Sequence, residues 1–143
     1  MLDSIRRTDP ARHVVFFRLV AGLPLLAIGF QHLSGAAPLA PILADAHIPA
    51  SALAAVLAPL GQVLAGVLLL TGAFGRIGAF LAAVQMIVAL YTQVLVDWTS
   101  EPPFALPIAV FLASLYVIWG GSGAYSVDRA RTLRHQSAAL VRA

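Results

Sequence analysis

The sequence predicts an all-α membrane protein that folds as an antiparallel bundle of four transmembrane helices, with both termini on the cytoplasmic side. Three observations lead to this prediction: four long apolar stretches, a strongly apolar composition, and arginines confined to alternate connections. Because the stretches follow one another closely, we expect a single membrane domain over residues 1–143, ending in a cytoplasmic tail at residues 121–143.

The apolar stretches are the primary signal for membrane-spanning helices. They cover residues 14–33, 51–71, 77–96 and 104–120. An α-helix needs about 20 apolar residues to cross the ~30 Å hydrocarbon layer of a bilayer. Each stretch is close to that length, so each is predicted to span the membrane once.

The composition excludes several classes of protein. Hydrophobic residues make up 60% of the chain and charged residues 10%, with a mean hydropathy of +0.90, which exceeds the apolar content of ordinary soluble domains. The pI near 10.2 does not predict nucleic-acid binding, because the arginines flank apolar stretches and suit anionic lipid headgroups better. Without cysteines, the chain forms no disulfide, no cysteine-ligated iron–sulfur cluster and no covalently attached haem.

The nine arginines predict the topology. They lie before or at the start of the first stretch, between the second and third, and after the fourth, and the chain has no lysine. The other two connections carry only the acids Asp45, Asp97 and Glu101. By the positive-inside rule, the arginine-bearing segments are cytoplasmic. An alternative interpretation of the first stretch is a secretory signal, but its removal would leave three spans with their ends on opposite sides.

The connections are predicted to have structure of their own. In residues 35–50, the apolar residues Leu39, Ile42, Leu43 and Ala46 recur at helical spacing, which predicts a short amphipathic helix on the outer surface. Residues 72–76 contain two glycines and an arginine, so spans two and three are expected to form a tight hairpin.

Two glutamines are predicted to lie near the middle of the bilayer. Gln62 falls about eleven residues into the second span and Gln85 about eight residues into the third, counted from opposite sides. One interpretation is that the two amides hydrogen-bond across the hairpin and hold the helices together. The other is that they bind a ligand, for example by donating to a quinone carbonyl, since polar groups in hydrocarbon often mark function.

His32 is the histidine nearest to a span interior, at the outer end of the first stretch. It is either a proton carrier or ligand of an outward-facing polar pocket, or an interfacial residue without a chemical role. A haem held by two histidines is not expected, because the other three histidines lie at different depths. A metal site built from His32, His47, Asp45 and Asp97 has suitable ligand types but no diagnostic spacing, so no metal is predicted.

Arg18 and Asp128 are predicted to form a structural ion pair at the cytoplasmic end of the bundle. Arg18 lies a few residues inside the first span, and Asp128 is the only acid after the fourth. Such a pair would tie the two ends of the chain together. The chain shows no catalytic triad, zinc motif, phosphate-binding loop or paired carboxylates.

These features together resemble the DoxX family of small four-helix membrane proteins. The resemblance covers nearly the whole chain and rests on Arg18-Leu19, on the Gly-x-x-His sequence ending at His32, on Pro49, on residues 62–72 with Arg76, and most specifically on residues 121–128, GSGAYSVD. One departure is Gln62, which stands where relatives commonly have a glutamate and which cannot exchange a proton.

The resemblance implies a multi-pass protein of the bacterial plasma or inner membrane. Some relatives are linked to quinone oxidoreductases, to terminal quinol oxidases or to oxidative-stress assemblies. By this resemblance the chain is expected to be a small or accessory subunit of a quinone-linked redox system, with a quinone near Gln62, Gln85 and His32. Its partners would be the bilayer and a membrane redox complex or oligomer. Two alternatives remain open: a structural or assembly protein without a ligand, and a small-solute carrier.

Overall fold

The computed structural model describes residues 11–96 and 104–142, and within these ranges the chain is helical and contains no strand. The helices are α1 (His13–Leu33), α2 (Ala40–Asp45), α3 (Ser51–Thr71), α4 (Gly75–Leu95), α5 (Ala105–Gly120) and α6 (Val127–Arg142). The predicted all-α class is confirmed for this part of the chain. The second predicted external loop, with Asp97, lies outside the described residues.

Three helices have the length and composition of membrane spans. α1, α3 and α4 are predominantly apolar and 21 residues long, and α5 is a shorter apolar helix of 16 residues. Their bounds differ from the predicted stretches by at most two residues, because hydropathy and helix length are set by the same apolar positions. The largest difference is the start of α4 at Gly75, two residues before the predicted start.

The four long apolar helices form a closed ring. α1 packs beside α3 and α5, and α4 packs beside the same two helices. The short helix α2 packs on α3. The arrangement places the start of α1, the α3–α4 turn and the end of α5 at one end of the bundle, which we call the arginine end because Arg18 lies there. The opposite end carries α2.

The bundle is apolar on its outside and filled with small residues on its inside. Alanines fill much of the interior, and Ala21, Ala65, Ala79 and Ala82 are fully buried. Large side chains such as Phe16, Phe80 and Leu112 point outward and are more than half exposed. Small residues allow helix backbones to approach closely in lipid, where large apolar side chains gain nothing by turning inward. This distribution is typical of a protein whose surface is covered by lipid.

The predicted hairpin between α3 and α4 is present. Gly72 ends α3 in the left-handed region, with a φ of 65°, and its amide donates to the Leu68 carbonyl. A side chain at Gly72 would collide with Ser126 and with the Arg18 guanidinium. The predicted amphipathic helix of the first connection is also present as α2, and it buries Leu43 against α3. Ala46, which follows α2, is fully buried as well.

The closest approach of α1 and α3 predicts a strong effect of a single methyl group. A Cβ at Gly66 would lie 3.0 Å from the Gly22 carbonyl oxygen and 3.1 Å from the Leu26 amide nitrogen. These backbone atoms cannot move without shifting α1, so Gly66→Ala is expected to lower the free energy of unfolding by about 1–3 kcal/mol. Thermal unfolding in mild detergent measures the effect.

Gly120→Ala is the matched control for this change. A Cβ at Gly120 meets only a Val14 methyl group, at an ordinary distance of 3.6 Å. The control is expected to unfold at the wild-type temperature or slightly above it, since alanine favours helix over glycine. Equal unfolding temperatures for the Gly66 and Gly120 variants would show that α1 and α3 are not in backbone contact at Gly66.

Candidate functional site

Arg18 is buried inside the arginine end, where its guanidinium binds backbone carbonyls. Its side chain is 3% exposed. Its guanidinium donates to the carbonyls of Leu69 and Leu70, each at 2.7 Å, of Ser122 at 2.9 Å and of Ala124 at 3.2 Å. One side chain of α1 therefore holds the last turn of α3 and the segment between α5 and α6.

The position of Arg18 satisfies a general need of helix ends. The last carbonyls of an α-helix have no partner within the helix, and together they carry a partial negative charge. The Leu69 and Leu70 carbonyls belong to the last turn of α3. Arginine suits them because its planar guanidinium carries five N–H donors in a fixed fork. Arg18 thus acts as a cap that α1 supplies to α3.

Asp128 caps the opposite kind of helix end, the start of α4. It is fully buried, and its carboxylate accepts hydrogen bonds from the Phe74 amide at 3.0 Å, the Gly75 amide at 3.2 Å and the Ser122 hydroxyl at 2.7 Å. The two amides lie at the start of α4, where the helix dipole favours a negative charge. The Asp128 amide also donates to the Gly72 carbonyl at 3.3 Å. Asp128 therefore caps the second helix of the same hairpin.

Ser122 joins the two charged residues. Its carbonyl accepts from Arg18 and its hydroxyl donates to Asp128. We call the set of Arg18, Ser122, Asp128 and the α3–α4 turn the capping network. It brings together the two residues for which an ion pair was predicted, and the pair itself stays a prediction. Ser122 was not singled out in advance, although the buried polar ends of α3 and α4 required such partners.

Gln62 lies in the middle of α3 and faces α1. It is 9% exposed, and a Cβ at Gly29 of α1 would come within 3.1 Å of the Gln62 Cβ. Its Oε1 is buried and has no hydrogen-bond partner among the described residues. A buried amide oxygen without a partner is costly in hydrocarbon, because no water is present to compensate it.

Gln85 lies on α4 and is turned toward α3. Its Nε2 is 2.5 Å from the point that a Cβ at Gly61 would occupy, so the Gln85 amide packs directly against the backbone of α3 at this glycine. Its Oε1 is also buried and without a partner in the described part of the chain. Because both amide oxygens lack a donor, Gln62 and Gln85 do not hydrogen-bond to each other. The expected amide bond across the hairpin is absent between these two residues.

The structure places His32 about one helical turn from Gln62. Gly29 faces Gln62, and His32 follows it by three residues on α1, which is a rise of about 4.5 Å. His32 is half-buried, and its Nδ1 lies 2.6 Å from the Ala37 carbonyl. A carbonyl only accepts, so Nδ1 carries the proton and donates it. His32 therefore stabilises the start of the following loop through Nδ1, and its Nε2 can accept a hydrogen bond from a ligand.

Gln93 adds a further polar group near the opposite end of the bundle. Its Oε1 is buried without a partner among the residues described. Among the residues whose side chains the structure describes, 11–96 and 104–134, no three histidine or acidic side chains lie close enough to hold an ion, and Asp97 lies outside these ranges. The candidate site therefore consists of amides and one histidine.

The comparisons with known proteins yield one finding. A family model described as DoxX matches residues 13–97, which is more than half of the 143-residue chain and covers α1 to α4. The comparisons with curated proteins and with solved structures found no match.

Proposed function

The chain belongs to the DoxX family, and from this premise we propose that it is a small subunit of a quinone-linked membrane redox system. In this proposal, Gln62 and Gln85 bind the quinone head group within the bilayer. The chain has no cysteine-ligated cluster and no covalent haem of its own, so its role is to bind and orient the quinone. A bound quinone exchanges electrons with a redox centre of a partner complex.

The unpaired Oε1 atoms of Gln62 and Gln85 carry the proposal. A quinol has two hydroxyl donors, which match two amide oxygens that lack donors. The oxidised quinone has two carbonyl acceptors instead, and a rotation of each amide presents Nε2 to them. An amide pair therefore serves both redox forms, whereas a carboxylate would favour the reduced one.

The surroundings of the amides suit a lipophilic ring. Gly61 and Gln85 are half-buried, so the space beside them adjoins the lipid-facing surface. Leu57, Leu64 and Val88 lie one helical turn from Gly61 or Gln85 and are exposed. A quinone that diffuses in the bilayer can approach this surface with its chain in the lipid and its ring toward α3 and α4.

Retention of quinone in mild detergent tests the proposal. Gln62→Leu and Gln85→Leu are each expected to lose most of the bound quinone, while their unfolding temperatures change little, since leucine removes an amide oxygen that has no hydrogen-bond partner. Gln93→Leu is the control, because it removes another unpaired amide nearer the opposite end. Gln62→Glu is expected to make retention depend on pH, since a carboxyl can ionise and an amide cannot.

The same measurement can reject the proposal. Unchanged quinone content in folded Gln62→Leu and Gln85→Leu proteins would remove both residues from any quinone site. If wild-type protein retains no quinone and instead co-purifies with another membrane protein, the function is structural or in assembly. The capping network supports that second reading, because every contact described for it stabilises the bundle.

We also propose that all four long helices span the membrane, with both termini on the cytoplasmic side of a bacterial plasma membrane. The three 21-residue helices and the confinement of arginine to alternate connections support this topology. The chain has no cysteine, so single cysteines at Ser4, Ser100 and Ser137 report without background. An impermeant reagent added outside is expected to label only the cysteine at position 100. Labelling at position 4 with protection at position 100 would invert the topology.

A further inference from the structure

A groove at the arginine end lies outside the capping network and outside the proposed quinone site. It has a volume of about 470 Å³, within the 300–1,000 Å³ range of small-molecule sites. It is lined by Arg12, by Tyr125 just before α6, and by Arg129 and Leu133 in the first two turns of α6, together with Ala124, Ser126 and Ala130. No acidic residue lines it. From this combination we infer that the groove binds the headgroup of an anionic phospholipid.

The position of the groove places it in the headgroup layer. Arg12 immediately precedes α1, a helix of membrane-spanning length, so its side chain lies where the hydrocarbon ends. Trp119, at the end of α5, is 89% exposed, and tryptophan favours the same layer. Tyr125 is 78% exposed beside the groove, and its ring combines an apolar body with a polar hydroxyl.

The side chains of the groove match both parts of a phospholipid. Two guanidinium groups complement one phosphate, since arginine binds phosphate oxygens with paired N–H donors. Leu133 is 52% exposed and supplies an apolar wall for the first carbons of an acyl chain. The Ser126 hydroxyl is already used, donating to the Gly123 carbonyl and accepting from the Arg129 amide, so recognition falls to the arginines and Tyr125.

In this proposal, the groove selects lipids by the net charge of their headgroups. A headgroup with net negative charge gains from both arginines, at roughly fivefold in affinity for each basic residue near the surface. A zwitterionic headgroup carries its own cation and gains less. The site is independent of the quinone proposal, because it shares no residue with Gln62, Gln85 or His32.

The test counts lipids bound to the full chain by native mass spectrometry in a neutral detergent. Phosphatidylglycerol is titrated against phosphatidylcholine for the wild type, for R12Q/R129Q and for R131Q/R134Q. The last variant removes the same charge from two exposed arginines of α6 that do not line the groove. R12Q/R129Q is expected to lose phosphatidylglycerol at least tenfold, and R131Q/R134Q to lose little. R12K/R129K is expected to retain much of the binding.

Three outcomes would overturn the inference. Equal losses in the two glutamine variants would mean that the tail attracts anionic lipids without a site. Equal binding of phosphatidylcholine and phosphatidylglycerol by the wild type would exclude recognition of charge. Displacement of the lipid by inorganic phosphate at the same concentration would identify a site for the free ion. Unfolding temperatures of all variants, measured in the same detergent, separate loss of the lipid from loss of the fold.

Discussion

Replacing Asp128 with alanine is expected to lower the free energy of unfolding by about 3–5 kcal/mol, since it removes three buried hydrogen bonds to a charged acceptor. The carboxylate is fully buried and accepts three hydrogen bonds, from the Phe74 and Gly75 amides and the Ser122 hydroxyl. Its loss leaves the start of α4 uncapped and the charge of Arg18 without a counter-charge in the capping network. Unfolding by heat or by titration with a denaturing detergent measures the change.

Two further variants make the Asp128 result specific. Asp45→Ala removes an exposed acid and is expected to change stability by less than about 0.5 kcal/mol. Asp128→Asn keeps an acceptor oxygen of the same shape but removes the charge, so it is expected to fall between wild type and alanine. If Asp128→Ala is no less stable than Asp45→Ala, the carboxylate does not cap α4.

Arg18→Met is expected to have an effect of similar size, about 3–5 kcal/mol. Methionine keeps an unbranched apolar side chain but leaves four backbone carbonyls without a donor and Asp128 without a nearby cation. Arg18→Lys retains the charge, but an ammonium cannot reach all four carbonyls as the guanidinium fork does, so much of the loss is expected to remain. Arg131→Met, at an exposed position of α6, is the control.

A charge swap distinguishes the predicted ion pair from the capping network. A direct Arg18–Asp128 pair predicts that Arg18→Asp with Asp128→Arg restores much of the stability lost in each single variant. The capping network predicts no restoration, because an aspartate at position 18 would face carbonyls and an arginine at position 128 would face amides. The coupling energy from the two singles and the double decides between them.

The long helices were predictable because each membrane-spanning helix must be a continuous apolar stretch of about 20 residues. Four apolar stretches and their connecting turn at residues 72–76 required no knowledge of tertiary contacts, and the small helix α2 followed from the spacing of Leu39, Ile42, Leu43 and Ala46. Which helices pack against each other was harder to predict from the sequence. The α1–α3 contact depends on Gly22 and Gly66, because the absence of a side chain at these positions lets the two helices approach closely.

The partners of the polar residues could not be predicted in the same way. Arg18 binds the backbone carbonyls of four residues. Because every residue type has a backbone carbonyl, the sequence contains no side-chain pattern that predicts these contacts. Gln62 and Gln85 lie near the middle of α3 and α4, but a position along a helix does not fix the rotation of an amide. The hydrogen bond between them, one of the two interpretations drawn from the sequence, is not formed, and Gln85 packs against Gly61.

The capping network also dictates an order of events during synthesis. Arg18 enters the membrane with the first helix, yet its partners lie 51 to 106 residues further along the chain. Until the segment of Ser122 and Ala124 has been translated, the guanidinium of α1 lacks half of its acceptors. The first helix is therefore inserted with an unmet polar group near its end.

Nascent chains that stop after α5 would hold all four apolar helices but not the residue that caps α4. The capping network is completed by its last-made part, when Asp128 reaches the α3–α4 turn and accepts hydrogen bonds from the Phe74 and Gly75 amides. A chain interrupted at this stage lacks the carboxylate that caps α4 and two of the four carbonyls that bind Arg18.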